Sequence, residues 1–225
     1  MRIAALSDMH WKLPLPAEIP VCDILLIAGD GGDTALLRDW LEVVNERVGV
    51  VVGIAGNHDF NDRQPHLREL PWVYLEDSSY EYELGLKIYG SPWTKPFLSW
   101  SFMLPESDLS AKWDAIPDDT NILITHGPPY GVCDFVERPL PGNRSWEGEH
   151  VGSKSLLGRV LQLELLQLHV FGHIHEYGGR GGEYETGARW QNVSILDGEY
   201  NRWGPAATEI QLDERRTHGH NDNPG

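Results

Sequence analysis

Ile24-Leu25-Leu26-Ile27-Ala28-Gly29-Asp30-Gly31-Gly32-Asp33 is the stretch on which the fold turns. Five apolar residues run unbroken into a Gly/Asp cluster. From Thr34 to Arg47 the apolar positions Leu36, Leu37, Trp40, Leu41 and Val44 then recur at helical spacing. A short apolar run bounded by turn residues reads as a buried strand, and the spacing after it predicts an amphipathic helix with Asp33 or Thr34 as its N-cap. Val50 to Ala55 supplies the next strand, so the unit is strand, loop, helix, strand.

Outward from this unit the same pattern recurs. Ile3 to Leu6, Asn121 to Thr125 and Leu168 to Phe171 are further short apolar runs. Ser153 to Leu166 predicts a second helix, with Leu156, Leu157, Val160, Leu161 and Leu165 along one side, feeding the strand at Leu168. Between Trp72 and Gly90 the pattern changes to alternation (Tyr80, Tyr82, Leu84, then Leu86, Ile88), which predicts antiparallel hairpins. The expectation is one α/β domain over residues 1–212, with mixed sheets. Gly127 to Gly152, rich in Pro and Gly, reads as a long functional loop. Asp213 to Gly225 has no aliphatic or aromatic residue and reads as a disordered tail.

Composition narrows the function. With 225 residues, 40% of them hydrophobic, the chain has material for one sizeable core. Its apolar runs fall far short of the roughly 20 residues of a membrane span, and Asp8 and His10 interrupt any secretory leader. Cys22 and Cys133 are too few for a disulfide framework or a thiolate zinc site, so a reducing compartment, the cytoplasm, is expected. Eighteen Lys and Arg against 34 Asp and Glu give a formal charge of -16, which repels long nucleic acids. A small anion would need a local positive charge, of which a bound metal is the usual source, and the chain has ten His. Nothing in the residues sets an oligomeric state.

Each expected strand ends in a polar cluster: Asp8-Met9-His10, Gly29 to Asp33, Gly56-Asn57-His58-Asp59, Thr125 to Pro129, and Gly172-His173-Ile174-His175. In open α/β sheets ligands bind beyond the carboxyl ends of strands, so residues this scattered can share one pocket. Singly, each cluster reads as turn chemistry. Jointly they are hard to explain as packing, because buried polar groups must all be satisfied.

The ordered set D-x-H, G-D-x-x-D, G-N-H-D, a lone His after a strand, and G-H-x-H resembles the signature of the calcineurin-like metallophosphoesterase superfamily. Ile88 to Trp93, Thr125 to Pro129, His150 to Gly152 and Val170 to Glu176 look like its metallophosphodiesterase group, which includes the MPPE-domain-containing proteins and bacterial cyclic-nucleotide phosphodiesterases. The resemblance implies a four-layer α/β sandwich of two mixed β-sheets flanked by helices. It implies one metal held by Asp8, His10, Asp30 and His175 and another by Asp30, Asn57, His126 and His173, with Asp30 bridging. Imidazoles and carboxylates without thiolate suit Mn²⁺, an Fe/Mn pair or Zn²⁺. In the family pattern His58 faces the substrate, placed to protonate the leaving oxygen, and Asp33 would orient its ring. Asn57, His58, His150 and Trp93 are the expected substrate contacts.

The implied activity is a two-metal phosphohydrolase, with attack by a metal-bridging hydroxide on small phosphodiesters such as cyclic nucleotides. A phosphomonoesterase or protein phosphatase is the enzymatic alternative. A non-catalytic metal-binding scaffold for protein partners is the alternative of another class, and it would be expected to lose ligands, all of which are present. Trp93, Trp100 and Trp146 lie in polar or Pro-rich loops, where packing and stacking on a base or aryl group are both open. Arg138 and Arg144 share the loop of Trp146 and are candidate phosphate clamps. His66 and His169 read as packing or solvent-facing residues, and His218 and His220 belong to the tail.

Overall fold

Strands β1 (Arg2–Leu6) and β2 (Ile24–Ala28), helix α1 (Thr34–Val44) and strand β3 (Val50–Ile54) realise the opening unit in a computed structural model that describes residues 1–59, 64–137 and 148–212. They continue through α2 (Gln64–Arg68), β4 (Val73–Tyr74), β5 (Ser78–Tyr82), β6 (Leu86–Ser91), α3 (Glu106–Asp114) and β7 (Ile122–Thr125). The chain ends its ordered elements with β8 (Phe135–Val136), β9 (Glu149–His150), α4 (Lys154–Val160), β10 (Leu168–Phe171), β11 (Gly181–Glu183), β12 (Arg189–Asn192) and β13 (Thr208–Gln211). The expected tail, with His218 and His220, lies outside the described residues, as do Arg138, Arg144 and Trp146.

One sheet has the order β13-β1-β2-β3-β4 and the other β11-β12-β10-β7-β6-β5. Each is parallel at its centre, with antiparallel edge strands β13, β11 and β5. Ile3, Ala5, Ile24, Leu26, Val52 and Ile54 of the first sheet meet Ile88, Ile122, Ile124, Leu168 and Val170 of the second. The alternate residues Ala4, Leu6, Leu25, Ile27 and Val51 pack with Leu37, Trp40, Leu41 and Val44 of α1. Leu109 and Trp113 of α3, with Leu156 and Val160 of α4, cover Tyr89 and Leu123 of the second sheet. The result is four layers, helix, sheet, sheet and helix. Central strands buried on both faces are why their sequences are unbroken apolar runs.

Three details differ from expectation. The helix from Ser153 keeps Ser153 as its N-cap but ends at Val160, because tight turns at Leu163 and Leu166 send both side chains into the core. Only one hairpin forms in the middle region, β5 with β6, while β4 adds in parallel to β3. The loop from Gly127 to Gly152 contains a small antiparallel ribbon, β8 with β9.

Candidate metal centre

The carboxyl ends of β1, β2, β3, β7 and β10 point the same way, and the inter-sheet core holds the two sets of ends together. Asp8, His10, Asp30, Asn57, His126 and His175 are all buried there, each within one turn of its strand. Asp8, His10, Asp30 and His173 have φ between +49° and +67°. That left-handed conformation is uncommon outside Gly and costs on the order of 1 kcal/mol or more per residue, so the surrounding bonds must enforce it. They do: Asp8 N–H donates to Gly29 O (3.1 Å), His10 N–H to Asp30 O (2.8 Å), and His173 N–H to the Asp8 carboxylate (3.0 Å). Gly172 is needed for the approach, since a Cβ there would lie 2.2 Å from Asp8 Oδ2.

His10 Nε2 and His175 Nε2 are 3.3 Å apart, and His175 Nε2 is 3.3 Å from Asp8 Oδ1. His126 Nε2 is 2.8 Å from Asn57 Oδ1, which is 2.9 Å from His173 Nδ1. Asp30 Oδ2 stands between these groups, 3.8 Å from His10 Nε2 and 3.5 Å from His126 Nε2. The seven expected ligands therefore form one cluster.

The backbone decides which ring nitrogens face inward. A carbonyl can only accept, so His126 Nδ1 donates to Ala28 O (2.8 Å) and His175 Nδ1 to Asp197 O (3.2 Å). Each Nε2 is thereby left to turn its lone pair on the cluster. Asn57 Oδ1, Asp30 Oδ2 and His126 Nε2 are then three acceptors face to face, an arrangement that needs a cation among them. Without metal, protons fill that need. Burial opposes a charge on His126, but Asp30 overrides it and raises its pKa to about 9. Burial likewise opposes a charge on His175, and Asp8 raises it. Burial and the neighbouring cation of His126 push His173 down to about 3, and burial lowers His10. Against the upward push of burial, the facing imidazoles hold Asp8 well below the usual carboxylate range and Asp30 at about 2. This donor set, N and O atoms converging around two carboxylates, fits two cations.

His58 stands at the edge of the cluster. Its backbone N–H donates to Asp30 Oδ1 (2.8 Å), its ring meets His10 edge-on at 4.8 Å, and the Trp100 ring lies against it at 4.1 Å, tilted by 39°. Asp33 is the N-cap of α1, as the helical spacing predicted, its Oδ1 accepting from Ala35 N–H (2.9 Å) and Leu36 N–H (3.1 Å), a use of the carboxylate other than the expected orienting of the His58 ring. The His10 and Trp100 rings flank the His58 ring. His150 pairs through Nδ1 with buried Asp134 (2.7 Å) on the β8–β9 ribbon, between the Tyr130 and Phe135 rings. Trp93 lines a cavity that also includes His173.

Two residues matter beyond the expected ligands and substrate contacts. Asp59 is buried, and its carboxylate accepts from Gly56 N–H (2.8 Å), Asp30 N–H (2.9 Å) and, at 3.4 Å, Gly31 and Gly32 N–H. It thus ties the loops after β2 and β3 together, and burial with the nearby Asp30 charge raises its pKa to about 7. Its place after Asn57-His58 was the available signal. His169 is buried in β10, where Thr125 Oγ1 donates to Gly127 O (2.7 Å) and so must accept from His169 Nε2–H (2.9 Å). Nδ1 then accepts from Tyr184 O–H (2.8 Å), and the chain of bonds ends on the residue after ligand candidate His126.

A family model described as calcineurin-like phosphoesterase matches residues 1–177. The chain belongs to the calcineurin-like phosphoesterase family. Human metallophosphoesterase domain-containing protein 1 is 31% identical over 238 residues, covering 91% of this phosphoesterase chain and 69% of the human protein. The UPF0046 protein C25E10.12 of Caenorhabditis elegans is 32% identical, with 96% and 83% covered. A probable rhamnogalacturonate lyase C of Emericella nidulans is 33% identical over 90% of this chain, which spans only 20% of that protein. In fold, the crystal structure of TT1561 of Thermus thermophilus matches with a TM-score of 0.58 at 13% identity, covering 87% and 93% of the two chains. Membership makes metal-dependent hydrolysis of phosphoric esters the chemistry of this centre. No helix among the described residues is long and apolar enough to cross a membrane.

Proposed function

We propose that the protein is a phosphodiesterase acting on small phosphodiesters, cyclic nucleotides among them, with Asp8, His10, Asp30 and His175 holding one metal ion and Asp30, Asn57, His126 and His173 the other. The observation that carries this reading is the position of Asp30 Oδ2 between His10 Nε2 and His126 Nε2, at 3.8 and 3.5 Å. A carboxylate has the lone pairs to serve two cations, which a neutral imidazole has not. Bound there, two such ions, manganese, iron with manganese, or zinc, supply Lewis-acid activation of water and positive charge for the phosphoryl oxygens.

The chain's own residues do the rest. Ala28 O and Asp197 O fix the His126 and His175 rings, and Asp59 holds the Asp30 and Asn57 loops in register. His58, beside the cluster and outside the ligand set, gives a proton to the departing ester oxygen. Burial lowers its pKa, and Trp100 shields one face of the ring. Asn57 and His58 contact the phosphoryl group, and Trp93 contacts an ester arm. The free thiols of Cys22 and Cys133 suit a reducing compartment such as the cytoplasm.

A panel of bis-p-nitrophenyl phosphate, p-nitrophenyl phosphate and 2′,3′- and 3′,5′-cyclic nucleotides with Mn²⁺ tests the reading. Faster hydrolysis of the diesters is expected. A strong monoester preference would make the protein a phosphomonoesterase instead.

A further inference from the structure

Against the metal centre lies a cavity of about 420 Å³, within the roughly 300–1,000 Å³ usual for small-molecule sites. His173 is part of its wall, so cavity and centre share a residue. Trp93, Phe97, Leu98, Val136 and Val151 make its surface mainly apolar.

One loop joins the two. Thr94 and Met103 bridge its base, with Thr94 N–H donating to Phe102 O (2.9 Å) and Leu104 N–H to Thr94 O (3.0 Å). From that base Ser101 N–H donates to Asn57 O at 3.0 Å, and the Trp100 ring lies tilted against His58. Phe97 and Leu98, on the same loop, form part of the cavity lining, 44% and 67% exposed. Leu98 has φ of +55°, a strained conformation for Leu that holds apolar surface out in water. Trp93 is preset: its Nε1–H donates to Asp77 Oδ2 (2.9 Å), and Lys112 Nζ donates to the same oxygen (2.6 Å) while lying 4.5 Å over the ring. A wall fixed in advance loses little entropy on binding.

The polar groups of the lining constrain the ligand's chemistry. Thr94 O–H donates to Lys95 O (3.2 Å). Ser153 O–H donates to Glu106 Oε1 (3.1 Å) and accepts from Trp113 Nε1–H (3.0 Å). Both hydroxyl protons are therefore spent inside the protein, and Ser153 Oγ also accepts from Leu156 N–H, so neither group donates to a nucleobase edge or a ribose hydroxyl. Of the charged members of the lining, Lys95 lies near enough to Glu106 to lower its pKa, while Glu149 and Glu176 are exposed, and the two acids outweigh the one cation against a second anion.

Resting on the phosphodiesterase reading, we infer that this cavity takes one ester arm of the substrate, and that the arm is a bulky, uncharged apolar or aromatic group. The phosphate stays at the metal centre while the arm lies between Trp93 and the Phe97–Leu98 lip. A nucleoside arm is the weaker fit, since it would bury hydrogen-bonding groups against hydrocarbon.

The test uses the Mn²⁺-loaded protein and three monoanionic esters that differ in one arm: methyl, phenyl and thymidin-5′-yl methylphosphonate, bound in a calorimeter. The phenyl ester is expected to bind at least about tenfold more tightly than the methyl ester, and more tightly than the thymidine ester. Phe97→Asp and Val151→Asp, with metal content and thermal midpoint checked, should shrink the phenyl advantage. Phe97 lies on the exposed lip, so Phe97→Asp carries the test if Val151→Asp fails to fold. Equal affinities, no binding, or a thymidine ester that binds best would overturn the inference. Hydrolysis of bis-p-nitrophenyl phosphate, followed in parallel, separates the two claims. Turnover without phenyl preference sinks the cavity assignment alone, and phenyl preference without turnover sinks the phosphodiesterase reading alone.

Discussion

Asp8, Asp30, His126 and His175 sit buried at the ends of central strands, their acceptors and ring nitrogens fixed by backbone groups of a neighbouring strand and of the loops around them. Phe97, Leu98 and Val151 sit a short distance away on loops and Val136 on the short strand β8, partly or largely exposed, and they meet across a cavity. The first set cannot change residue type without leaving a buried charge or an unpaired donor. The second can exchange one apolar side chain for another of similar size at small cost. Chemistry is thus built into the sheets, and choice of substrate into the loops that close over them.

If that division is right, damage to the centre should abolish turnover for every ester, whereas damage to the cavity should change only the ranking of esters. The largest effect is expected from Asp30→Ala. Loss of the shared carboxylate should lower the hydrolysis of bis-p-nitrophenyl phosphate by roughly 10³-fold or more and reduce bound metal at both positions, measured by elemental analysis. Asp8→Ala should mainly empty one position. An Asp30→Ala protein with two metals and a near-native rate would erase the division.

His58→Ala comes next. Both ions should stay while the rate falls by about 10² to 10⁴, with a larger loss for a ribose leaving group than for p-nitrophenolate, which needs little protonation. Equal losses on both substrates would reduce His58 to an electrostatic contact. Asp59→Asn, which sets an amide against four N–H groups, should weaken metal binding by about 10- to 100-fold, as loss of outer partners of ligands does. Unchanged Mn²⁺ affinity would show that the two loops hold their register without it.

The smallest effect concerns His169, which burial pushes down to about 3. The folded protein keeps this ring neutral, while the unfolded chain takes up a proton below its ordinary pKa of about 6.5. Stability from this group is complete above that value and is lost as pH falls, by about 2 kcal/mol from pH 6.5 to 5. Urea unfolding of the native protein and of His169→Gln at both pH values should show a shallower acid loss in the variant. Identical slopes would remove His169 from the acid response.

Much of this was legible because β1, β2, β3, β7 and β10 are buried on both faces, which leaves unbroken apolar runs followed by polar clusters in the sequence. The edges were not. The weakly amphipathic α3 buries little beyond Leu109 and Trp113, and the short β4 follows from Leu75 entering the inter-sheet core, which depends on the opposite sheet. At the centre, the polar clusters and the resemblance they carry named the residues that converge, and Asp33 was legible as the N-cap of α1 from its place before the helical spacing. The use of Asp59 as the clasp between two loops was not, because it depends on where backbone N–H groups point. The cavity has no motif, because residues from Trp93 to Glu176 meet in it through tertiary packing alone.

A single centre built on a shared carboxylate is tested best by Mn²⁺ titration of the metal-free protein followed by electron paramagnetic resonance. Two Mn²⁺ per chain and a spin-coupled spectrum are expected, with proton release at pH 7.5 as the ion displaces the proton that His126 holds with its pKa of about 9. Asp30→Ala should abolish the coupling. One ion per chain, or two whose spectra are those of isolated Mn²⁺, would refute the shared carboxylate.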